Sequence, residues 1–373
     1  MTWFDELWDR VRRSDHQPHV LVAPHARLLV AQHGARLLAI EFVDSEGVCG
    51  DIGNPFFTAG LTNPDTGQAV VTGGDRCWIS PEIAYFWPSM QDARDRPQET
   101  TVTPPDVDPG AFNCSESDDR MIRLRNTFSL RDQRDGKRLQ GVLDRAFFLI
   151  DPPYAALGAA TQPDLLICSF GLDHRLSLTR GDRGAVCNTW SILQVPPRGT
   201  LICPTVRELS RGQLRSYYDP LHEHVGVDAD AVRFLIDGRR RIKMGIAPEE
   251  TTGRMGYYRR ATPRCSTLIV RIFPTFPGEQ YPDVPRNAAP DVRTGGDVLQ
   301  AYNDDGSGFG GHAGSNITFG EMEYHDPAVT AGGRTSGQGQ SVTHVLAGPD
   351  AAVRFVGERL LGAPIQMLEP SDA

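Results

Sequence analysis

HVLVAPHARLLVAQHGARLLAIEFV, residues 19–43, contains three apolar runs of strand length that are separated by turn residues. Each run ends before it reaches the length of a typical helix. Short apolar runs at this spacing favour antiparallel strands. This stretch therefore predicts that the chain is built from β-sheet.

The same pattern continues through most of the chain. Further candidate strands begin with QAVVTGG at residues 68–74 and end with QSVTHVLAG at residues 340–348; between them lie MIRLRNTFSL, GVLDRAFFLI, DLLICSF, HRLSLTR, GTLICPTV, AVRFLIDG, RIKMGIA, STLIVRIFP and NITFGEMEY. The 38 glycines and 28 prolines fit many turns and few helices. Without tandem repeats or strand–helix–strand alternation, the expected fold class is all-β, an antiparallel sandwich or barrel.

Two amphipathic segments near the ends of the chain are predicted to be helices. In MTWFDELWDRVRR, residues 1–13, apolar side chains recur at helical spacing, and Thr2 with Asp5 resembles a capping box. In DAAVRFVGERLLG, residues 350–362, Asp350 is the expected N-cap. The apolar face of this second segment consists of Val353, Val356, Leu360 and Leu361.

The composition argues against several classes of partner. The chain has 38 basic and 47 acidic residues, a net charge of −9 and a pI near 5.6. It lacks a basic run interleaved with aromatics, so nucleic acid is not an expected partner. No apolar stretch approaches the roughly 20 residues of a membrane helix, and the first residues lack the apolar centre of a secretory signal. We therefore expect no membrane insertion.

The cysteines point to a reducing compartment. They are odd in number, widely spread and never in a C-x-x-C arrangement: Cys49, Cys77, Cys114, Cys168, Cys187, Cys203 and Cys265. Scattered cysteines in a chain without a signal peptide predict reduced core thiols and a cytoplasmic protein.

Two segments rich in glycine or proline are predicted to be loops. NDDGSGFGGHAGSN, residues 303–316, has the composition of a phosphate loop, but it lacks the lysine and leads into a strand. A flexible rim loop is the better interpretation. MQDARDRPQETTVTPPDVDPG, residues 90–110, is polar and proline-rich, which predicts a long surface loop.

The segment FGEMEYHDP, residues 319–327, is strand-like yet carries three ionisable side chains within five residues. Because successive side chains of a strand alternate, Glu321, Glu323 and His325 share one face. The pattern fits either an edge strand with a solvated end or a polar pocket at the mouth of a sheet.

Five segments occur in an order that is typical of one known superfamily. They are GGDRCWISPE (73–82), TWSILQVPPRGTLICPT (189–205), RIKMGI (241–246), FPGEQYPD (276–283) and FGEMEYHDP. In this order they resemble the galactose mutarotase-like superfamily, in particular bacterial branches related to aldose 1-epimerases. The resemblance implies an antiparallel β-supersandwich over residues 19–348 whose concave face binds a sugar. An N-terminal helix in residues 1–18 and a C-terminal helix and tail in residues 349–373 would flank it.

The resemblance also implies catalytic roles. In mutarotases a strand-borne glutamate shortly before a proline takes the proton of the anomeric hydroxyl, and here Glu323 is the nearest equivalent, with Glu321 as the alternative. Two carboxylates and a histidine on one face would raise the pKa of at least one carboxyl group by like-charge repulsion. The mutarotase histidine that protonates the ring oxygen has His174 as its nearest match, although the usual asparagine–histidine pairing is missing.

Further residues are candidates for substrate binding. Arg76 matches the arginine of the superfamily's Gly-Gly-x-Arg-x-Trp-like motif, and its planar guanidinium can hold sugar hydroxyls or a carboxylate. Trp78 and Trp87 would either stack on a pyranose ring or serve as core aromatics. Lys243 would need a partner if it is buried, and an anionic group of the substrate is one candidate. His325 lies on the same face as the glutamates.

A metal site is an alternative use of the histidines. His222 and His224, in DPLHEHVGV, would share a face if this segment is extended, and two imidazoles can then hold one metal ion. Glu321, Glu323 or His325 could complete such a site. The competing interpretations are a surface loop and a metal-free sugar site. No cofactor is expected, and a divalent metal is the one alternative kept open.

Three functions are compatible with the sequence. The leading one is a carbohydrate-active enzyme, a sugar epimerase or isomerase, with Glu323 as base, His174 or His222 as acid and Arg76 holding the substrate. The second is a non-catalytic sugar-binding protein. The third is a metal-dependent lyase or isomerase acting on an acidic sugar, for which His222 and His224 are the discriminating feature.

Overall fold

The computed structural model describes residues 2–43, 48–49, 52–62, 69–95, 100–217, 219–285, 295–307 and 317–369, with only the backbone described at 60–62, 69–72 and 222.

In the described ranges, helix is confined to short segments. The α-helices are α1 (Trp3–Arg13), α2 (Glu82–Tyr85), α3 (Met90–Asp95), α4 (Tyr154–Leu157) and α5 (Asp350–Leu361). Single turns of 3-10 helix cover His33–Ala35, Ala159–Thr161, Arg211–Gln213 and His222–His224. None of the helices in these ranges is long and apolar enough to cross a membrane.

Strands are the main regular secondary structure of the described residues. They are β1 (Pro18–Ala23), β2 (Ala26–Ala31), β3 (Arg36–Phe42), β4 (Thr58–Thr62), β5 (Ala69–Gly73), β6 (Asp75–Ser80), β7 (Asn113–Ser117), β8 (Met121–Arg131), β9 (Arg138–Leu149), β10 (Leu166–Gly181), β11 (Val186–Val195), β12 (Gly199–Pro204), β13 (Arg215–Ser216), β14 (Val225–Val227), β15 (Ala231–Ile236), β16 (Ile242–Ile246), β17 (Arg254–Arg260), β18 (Ser266–Ile272), β19 (Leu299–Asp304), β20 (Phe319–His325), β21 (Val329–Thr330) and β22 (Ser336–Gly348).

Two antiparallel sheets contain nearly all of these strands. The first sheet has the order β1-β2-β3-β6-β11-β20-β19-β16-β13, with β21 paired to β11. The second has the order β14-β15-β12-β17-β18-β22-β10-β9-β8-β7, and β4 with β5 forms a separate hairpin. The predicted fold class, a large antiparallel β-sandwich with short peripheral helices, is confirmed.

The main hydrophobic core lies between the two sheets. On β20 the side chains of Met322 and Tyr324 join this core, as do Phe170 of β10 and Val345 of β22. Because side chains alternate along a strand, the remaining side chains of β20 lie on the opposite face of the first sheet. We call that face, turned away from the second sheet, the outer face.

A fully buried ion cluster crosses the core between the sheets. The carboxylate of Asp75, at the start of β6, is paired with Arg145 of β9 and Arg271 of β18, and all three side chains are 0% exposed. Burial alone would raise the pKa of Asp75, but the two guanidinium groups lower it below the usual 3.8. The cluster thus fixes the beginning of β6 against the second sheet.

Two glycines set the path of the chain into β6. Gly73 and Gly74 have φ angles of +107° and +68°, which side chains other than glycine rarely adopt. A Cβ atom on Gly74 would also collide with the carbonyl oxygen of Leu37. The GG pair of the segment GGDRCWISPE is therefore required by the backbone.

Both terminal helices pack on the sandwich as predicted. The capping box of α1 is present, with the amide of Asp5 donating to the Thr2 hydroxyl at 3.3 Å, and Phe4 is buried against β2 and β3. Helix α5 buries its apolar face on the second sheet. The expected N-cap role of Asp350 is wrong, because Pro349 is the N-cap and the Asp350 carboxylate accepts hydrogen bonds from Tyr258 and Ser266 instead.

The strand predictions need correction in two respects. The runs DLLICSF and HRLSLTR belong to one continuous strand, β10, because Asp173 between them faces out of the sandwich and accepts a hydrogen bond from Gln338 at 3.0 Å instead of forming a turn. The predicted runs did not include the strands β4, β6, β7, β11, β13, β14, β17, β19 and β21. In β11 all ten residues are buried, including polar ones, so the strand shows no alternation in the sequence.

The two predicted loops differ in outcome. Residues 90–110 are not simply a surface loop, since they begin with α3, bury Val107 and place Asp108 where it accepts a hydrogen bond from the Trp78 indole at 2.8 Å. The segment 303–316, predicted to be a rim loop, starts within the last two residues of β19, and its part 308–316 lies outside the described residues.

The prediction of reduced thiols is wrong for two cysteines. Cys49 and Cys265, separated by 216 residues, form a disulfide with a Cα–Cα distance of 5.5 Å. The other cysteines carry free thiols, and Cys77, Cys168, Cys187 and Cys203 are buried in the core. The cytoplasmic location stays a prediction.

Candidate functional site

A polar cluster lies on the outer face of five neighbouring strands, β6-β11-β20-β19-β16. The strand register arranges it in three rows that cross the sheet: Trp78–Trp190–His325, then Arg76–Ile192–Glu323–Gln300, then Gln194–Glu321–Tyr302–Lys243. We call these residues the site cluster. Ionisable side chains inside a sheet need partners, and the cluster supplies them across strands.

Glu323 is at the centre of the site cluster and is completely buried. Its Oε2 atom accepts a hydrogen bond from Trp190 Nε1 at 2.6 Å and lies 2.9 Å from Lys243 Nζ. Burial raises the pKa of Glu323 above the usual 4.5, Lys243 opposes this shift and repulsion from Glu321 adds to it. The predicted like-charge repulsion is thus a smaller cause than burial.

Glu321 lies at the edge of the cluster and orients Arg76. Its Oε1 atom accepts hydrogen bonds from Arg76 Nη2 at 2.8 Å and Gln194 Nε2 at 2.9 Å. The guanidinium of Arg76 also lies over the ring of Trp78, 4.3 Å from its centroid. Arg76 and Glu321 each keep 8% side-chain exposure, so the pair is the less buried end of the cluster.

Lys243 lies between aromatic rings and the buried carboxylate. Its Nζ atom is 4.3 Å from the centroid of Trp190 and 5.5 Å from that of Tyr217. Cation–π contacts of this kind, together with Glu323, compensate for the loss of hydration at a side chain that is only 2% exposed.

His325 is neutral in this environment. Its ring stacks on Trp190 with a centroid distance of 5.5 Å, and Nδ1 is 3.4 Å from the Ser80 hydroxyl. Burial lowers the pKa of His325 to about 4, and Asp283 opposes this shift from 3.9 Å. A neutral imidazole can donate or accept a hydrogen bond here, but it lacks the second, imidazolium proton that a histidine gives up when it acts as an acid near neutral pH.

A second hydrogen-bond network adjoins the cluster beyond β19. Gln300 Nε2 donates to Asp283 and to the Tyr217 hydroxyl, each at 2.8 Å, and that hydroxyl donates to Asp297 at 2.8 Å. Burial raises the pKa of Asp297 to about 7, against the effects of Arg215 and Tyr217. This network holds Gln300 beside Glu323.

Several buried polar atoms of the cluster have no hydrogen-bond partner among the residues that the structure describes. They are Glu323 Oε1, Gln194 Oε1, Gln300 Oε1, His325 Nε2 and Arg76 Nε. Unpaired buried groups of this kind are rare and cost free energy. A ligand with hydroxyl groups, or ordered water, would recover that free energy by hydrogen bonding to them. The atoms belong to neighbouring strands of one face, as expected for a binding site.

Sequence reasoning did not identify several residues that complete this arrangement: Trp190, Gln194, Tyr217, Asp283, Asp297 and Gln300. Trp190, Gln194 and Asp283 lie in the quoted segments, and period-2 spacing alone would have placed Trp190 and Gln194 on one face. Gln300 and Tyr217 carry no local signal.

His174 does not lie with the glutamates. It accepts a hydrogen bond from Arg145 at 3.1 Å, lies 3.8 Å from Asp326 and stacks near Tyr324, which faces the core between the sheets. Sheet alternation puts Tyr324 and Glu323 on opposite faces. The prediction that His174 acts as the acid beside Glu323 is therefore wrong, because β10 belongs to the second sheet.

The two predicted stacking tryptophans have other neighbours. Trp87 is 1% exposed within the main core. Trp78 belongs to the site cluster, but its ring is covered by Arg76 and lies 4.9 Å from Phe86. Stacking of a sugar on either ring would require these neighbours to move.

The proposed metal ligands are not on a strand. His222–His224 forms a 3-10 turn, so the premise of an extended H-x-H segment is wrong, and His224 lies 3.3 Å from Asp237. The side chain of His222 lies outside the described residues. Within the described ranges no group of three or more histidine, cysteine or acidic residues could hold a metal ion. A bound metal stays a prediction.

The fold and the site together define a β-sandwich protein with a buried cluster of ionisable side chains on one sheet. The chain belongs to DUF6786, a family of unknown function, whose family model matches residues 28–371. No curated protein sequence matches the chain.

Several solved structures are similar to this chain. One is a galactose mutarotase-like protein from Lactobacillus casei, with 10% identity and a TM-score of 0.43, covering 88% of this chain and 100% of that one. Another is a candidate aldose 1-epimerase from Escherichia coli K12, with 11% identity and a TM-score of 0.46, covering 88% and 98%. A third is a galactose mutarotase related enzyme from Lactobacillus acidophilus, with 6% identity and a TM-score of 0.43, covering 88% and 97%.

Proposed function

We propose that this protein is a carbohydrate-active enzyme in which Glu323 moves a proton during isomerisation of a sugar, in the simplest case the opening and closing of the ring at the anomeric carbon. One observation carries the proposal. Trp190 and Lys243 hold one oxygen of the buried Glu323 carboxylate, while the other oxygen has no partner in the described part of the protein.

This geometry suits a base better than a structural carboxylate. The two contacts to Oε2 fix the carboxylate plane, so Oε1 is presented in one orientation. A carboxyl group whose pKa is raised by burial exchanges protons closer to neutral pH than an exposed one does. Glu323 therefore combines orientation with a suitable proton affinity.

The choice of a sugar as substrate rests on sequence resemblance and on the polar lining. The segment FGEMEYHDP resembles the mutarotase-like strand that carries the catalytic glutamate shortly before a proline. Around Glu323, the unpartnered oxygens of Gln194 and Gln300 and the Arg76 nitrogen offer both acceptors and donors. Sugar hydroxyls are donors and acceptors at once, so they can satisfy such a mixed set.

Glu321 has a supporting role in this proposal. Its contacts with Arg76 and Gln194 hold two substrate-binding groups in place, and its charge contributes to the raised pKa of Glu323. We expect its replacement to affect substrate binding more than the proton transfer.

Replacement of Glu323 by glutamine tests the proposal. The amide keeps the shape and can accept the Trp190 hydrogen bond, but it takes no proton at neutral pH, so kcat should fall by about 10²- to 10⁴-fold with little change in KM. The measurement is the rate of anomer exchange, by two-dimensional exchange NMR, over a panel of aldoses, ketoses, amino sugars and uronic acids. The exposed Glu279→Gln, 50% exposed in the wild type, is the matched control.

Two results would contradict the proposal in different ways. Full activity of Glu323→Gln would show that another group is the base. Sugar binding by the wild-type protein without any exchange above the spontaneous rate would instead favour the non-catalytic sugar-binding protein.

A further inference from the structure

Ring opening needs an acid as well as a base, and the described site offers few candidates. His174 faces the core between the sheets, and His325 is neutral in its buried environment. Arg76 keeps its proton at all physiological pH values. Lys243, in contact with Glu323, is the remaining cation of the site cluster.

The scarcity of lysine in this chain makes position 243 unusual. Only two of the 38 basic residues are lysines, Lys137 and Lys243. Lys137 is 39% exposed and pairs with Asp135 at a turn, whereas Lys243 is 2% exposed.

Elsewhere in the chain, arginine pairs with buried carboxylates. The examples are the pairs of Asp75, Asp132 and Glu321 with arginine partners. Arginine at position 243 would provide the same charge for Glu323. What lysine adds is a compact ammonium whose proton can leave.

The geometry places this proton beside the base. The Nζ atom is 2.9 Å from Glu323 Oε2, and both side chains project from the outer face of the same sheet. The hydroxyl and the ring oxygen of a cyclic sugar are attached to the same anomeric carbon. A sugar whose hydroxyl meets Glu323 Oε1 therefore has its ring oxygen within reach of the neighbouring ammonium.

We infer that Lys243 is the proton donor to the ring oxygen, in an acid–base pair with Glu323; this inference rests on the proposed function. Glu323 Oε1 takes the hydroxyl proton, and the electron pair of that O–H bond becomes the second bond of the C1 carbonyl. The bond between C1 and the ring oxygen breaks, and the ring oxygen takes a proton from Nζ. The products are the open-chain carbonyl sugar, a protonated Glu323 and a neutral Lys243, and ring closure reverses each step.

The pair keeps its total charge constant through this step. Before the transfer it consists of a carboxylate and an ammonium, and afterwards of a carboxylic acid and an amine. A buried site disfavours any net change of charge, because ions lose their hydration there. A guanidinium at position 243 would break this balance, since it does not give up its proton.

Lys243→Arg separates proton donation from charge. We expect this variant to bind the sugar with an affinity close to that of the wild type but to exchange anomers at least about 100-fold more slowly, within the usual range of general acid catalysis. Sugar binding is measured by saturation-transfer NMR and turnover by exchange NMR. Lys137→Arg is the matched control and should leave both unchanged, while Glu323→Gln is run in parallel.

The outcomes distinguish the inference from the proposed function. If the wild type is active and Glu323→Gln is inactive, but Lys243→Arg keeps its rate within tenfold, only the role of Lys243 is refuted. A wild type without turnover refutes both. If Lys243→Arg does not fold, the Lys243→Ala variant provides the test. Methylamine in the buffer should restore its turnover, and guanidinium at equal concentration should not. Equal rescue by both would overturn the inference.

Discussion

Replacement of Asp75 by asparagine should destabilise the sandwich strongly. The carboxylate of Asp75 is the shared partner of Arg145 and Arg271, and no part of the three side chains is exposed. Asparagine keeps one acceptor oxygen for one arginine. Its amide group, however, would point N–H donors at the guanidinium of the other, so a buried cation would lose its counter-charge.

The magnitude follows from the burial of the cluster. Removing one partner of a buried ion pair typically costs about 3–5 kcal/mol, because the remaining charge stays desolvated. Two arginines lose their carboxylate here, so we expect a loss of about 4–5 kcal/mol in the free energy of unfolding. Since the pKa of Asp75 lies below 3.8 in the folded protein, this contribution is present at neutral pH and disappears only as the pH falls through that lowered value.

Equilibrium unfolding in urea, followed by tryptophan fluorescence and circular dichroism, measures this loss. Asp144→Asn is the matched control, because Asp144 pairs with an Arg125 side chain that is 61% exposed, and a surface pair contributes at most about 1 kcal/mol. A loss below about 1 kcal/mol for Asp75→Asn would refute the reasoning. It would mean that water or a rearranged neighbour compensates the two arginines.

Two further predictions concern pH and redox state. Burial raises the pKa of Asp297 from 3.8 to about 7. Between these two pH values the folded state keeps a proton that the unfolded state has lost. The stability of the wild type should therefore fall as the pH rises from about 4 to about 7. In the Asp297→Asn variant, the difference between the free energies of unfolding at pH 3 and pH 8, measured by urea titration, should shrink by up to about 4 kcal/mol. An unchanged difference would contradict the raised pKa of Asp297. For the disulfide, thiol titration of the unfolded protein should give five free thiols before reduction and seven after it. Cys49→Ser should lower the stability by about 2–5 kcal/mol, and seven thiols without reductant would show that the bond does not form.

Sequence patterns predicted the fold class because the edge and half-buried strands follow the rule of alternation. Strand β8, with alternate residues exposed, is a clear example. Strand β11 is buried on both faces, so its polar residues look like loop residues in the sequence. The terminal helices were predicted well because their apolar spacing and the Thr2 cap are local features.

Strand alternation identified residues of the candidate site only where one strand holds them together, whereas Arg76, Trp78 and Lys243 became candidates because they lie in segments that resemble a known superfamily. Alternation placed Glu321, Glu323 and His325 on one face because it needs no knowledge of neighbouring strands. The partners Trp190 and Gln300 depend on the register of β11 and β19 against β20, which no local pattern encodes.

Long-range pairing also limited two other predictions. His174 was grouped with the glutamates because the sequence of β10 shows which residues share a face but not which sheet the strand joins. The disulfide joins residues 216 positions apart, and its two cysteines have no motif in common.

The double use of strand β20 limits how this protein can change during evolution. The strand gives Glu321 and Glu323 to the outer face and Met322 and Tyr324 to the core. Inserting or deleting a single residue would exchange the two sets, burying carboxylates between the sheets and turning core side chains outwards. Relatives that keep the fold should therefore vary in this strand by substitution alone.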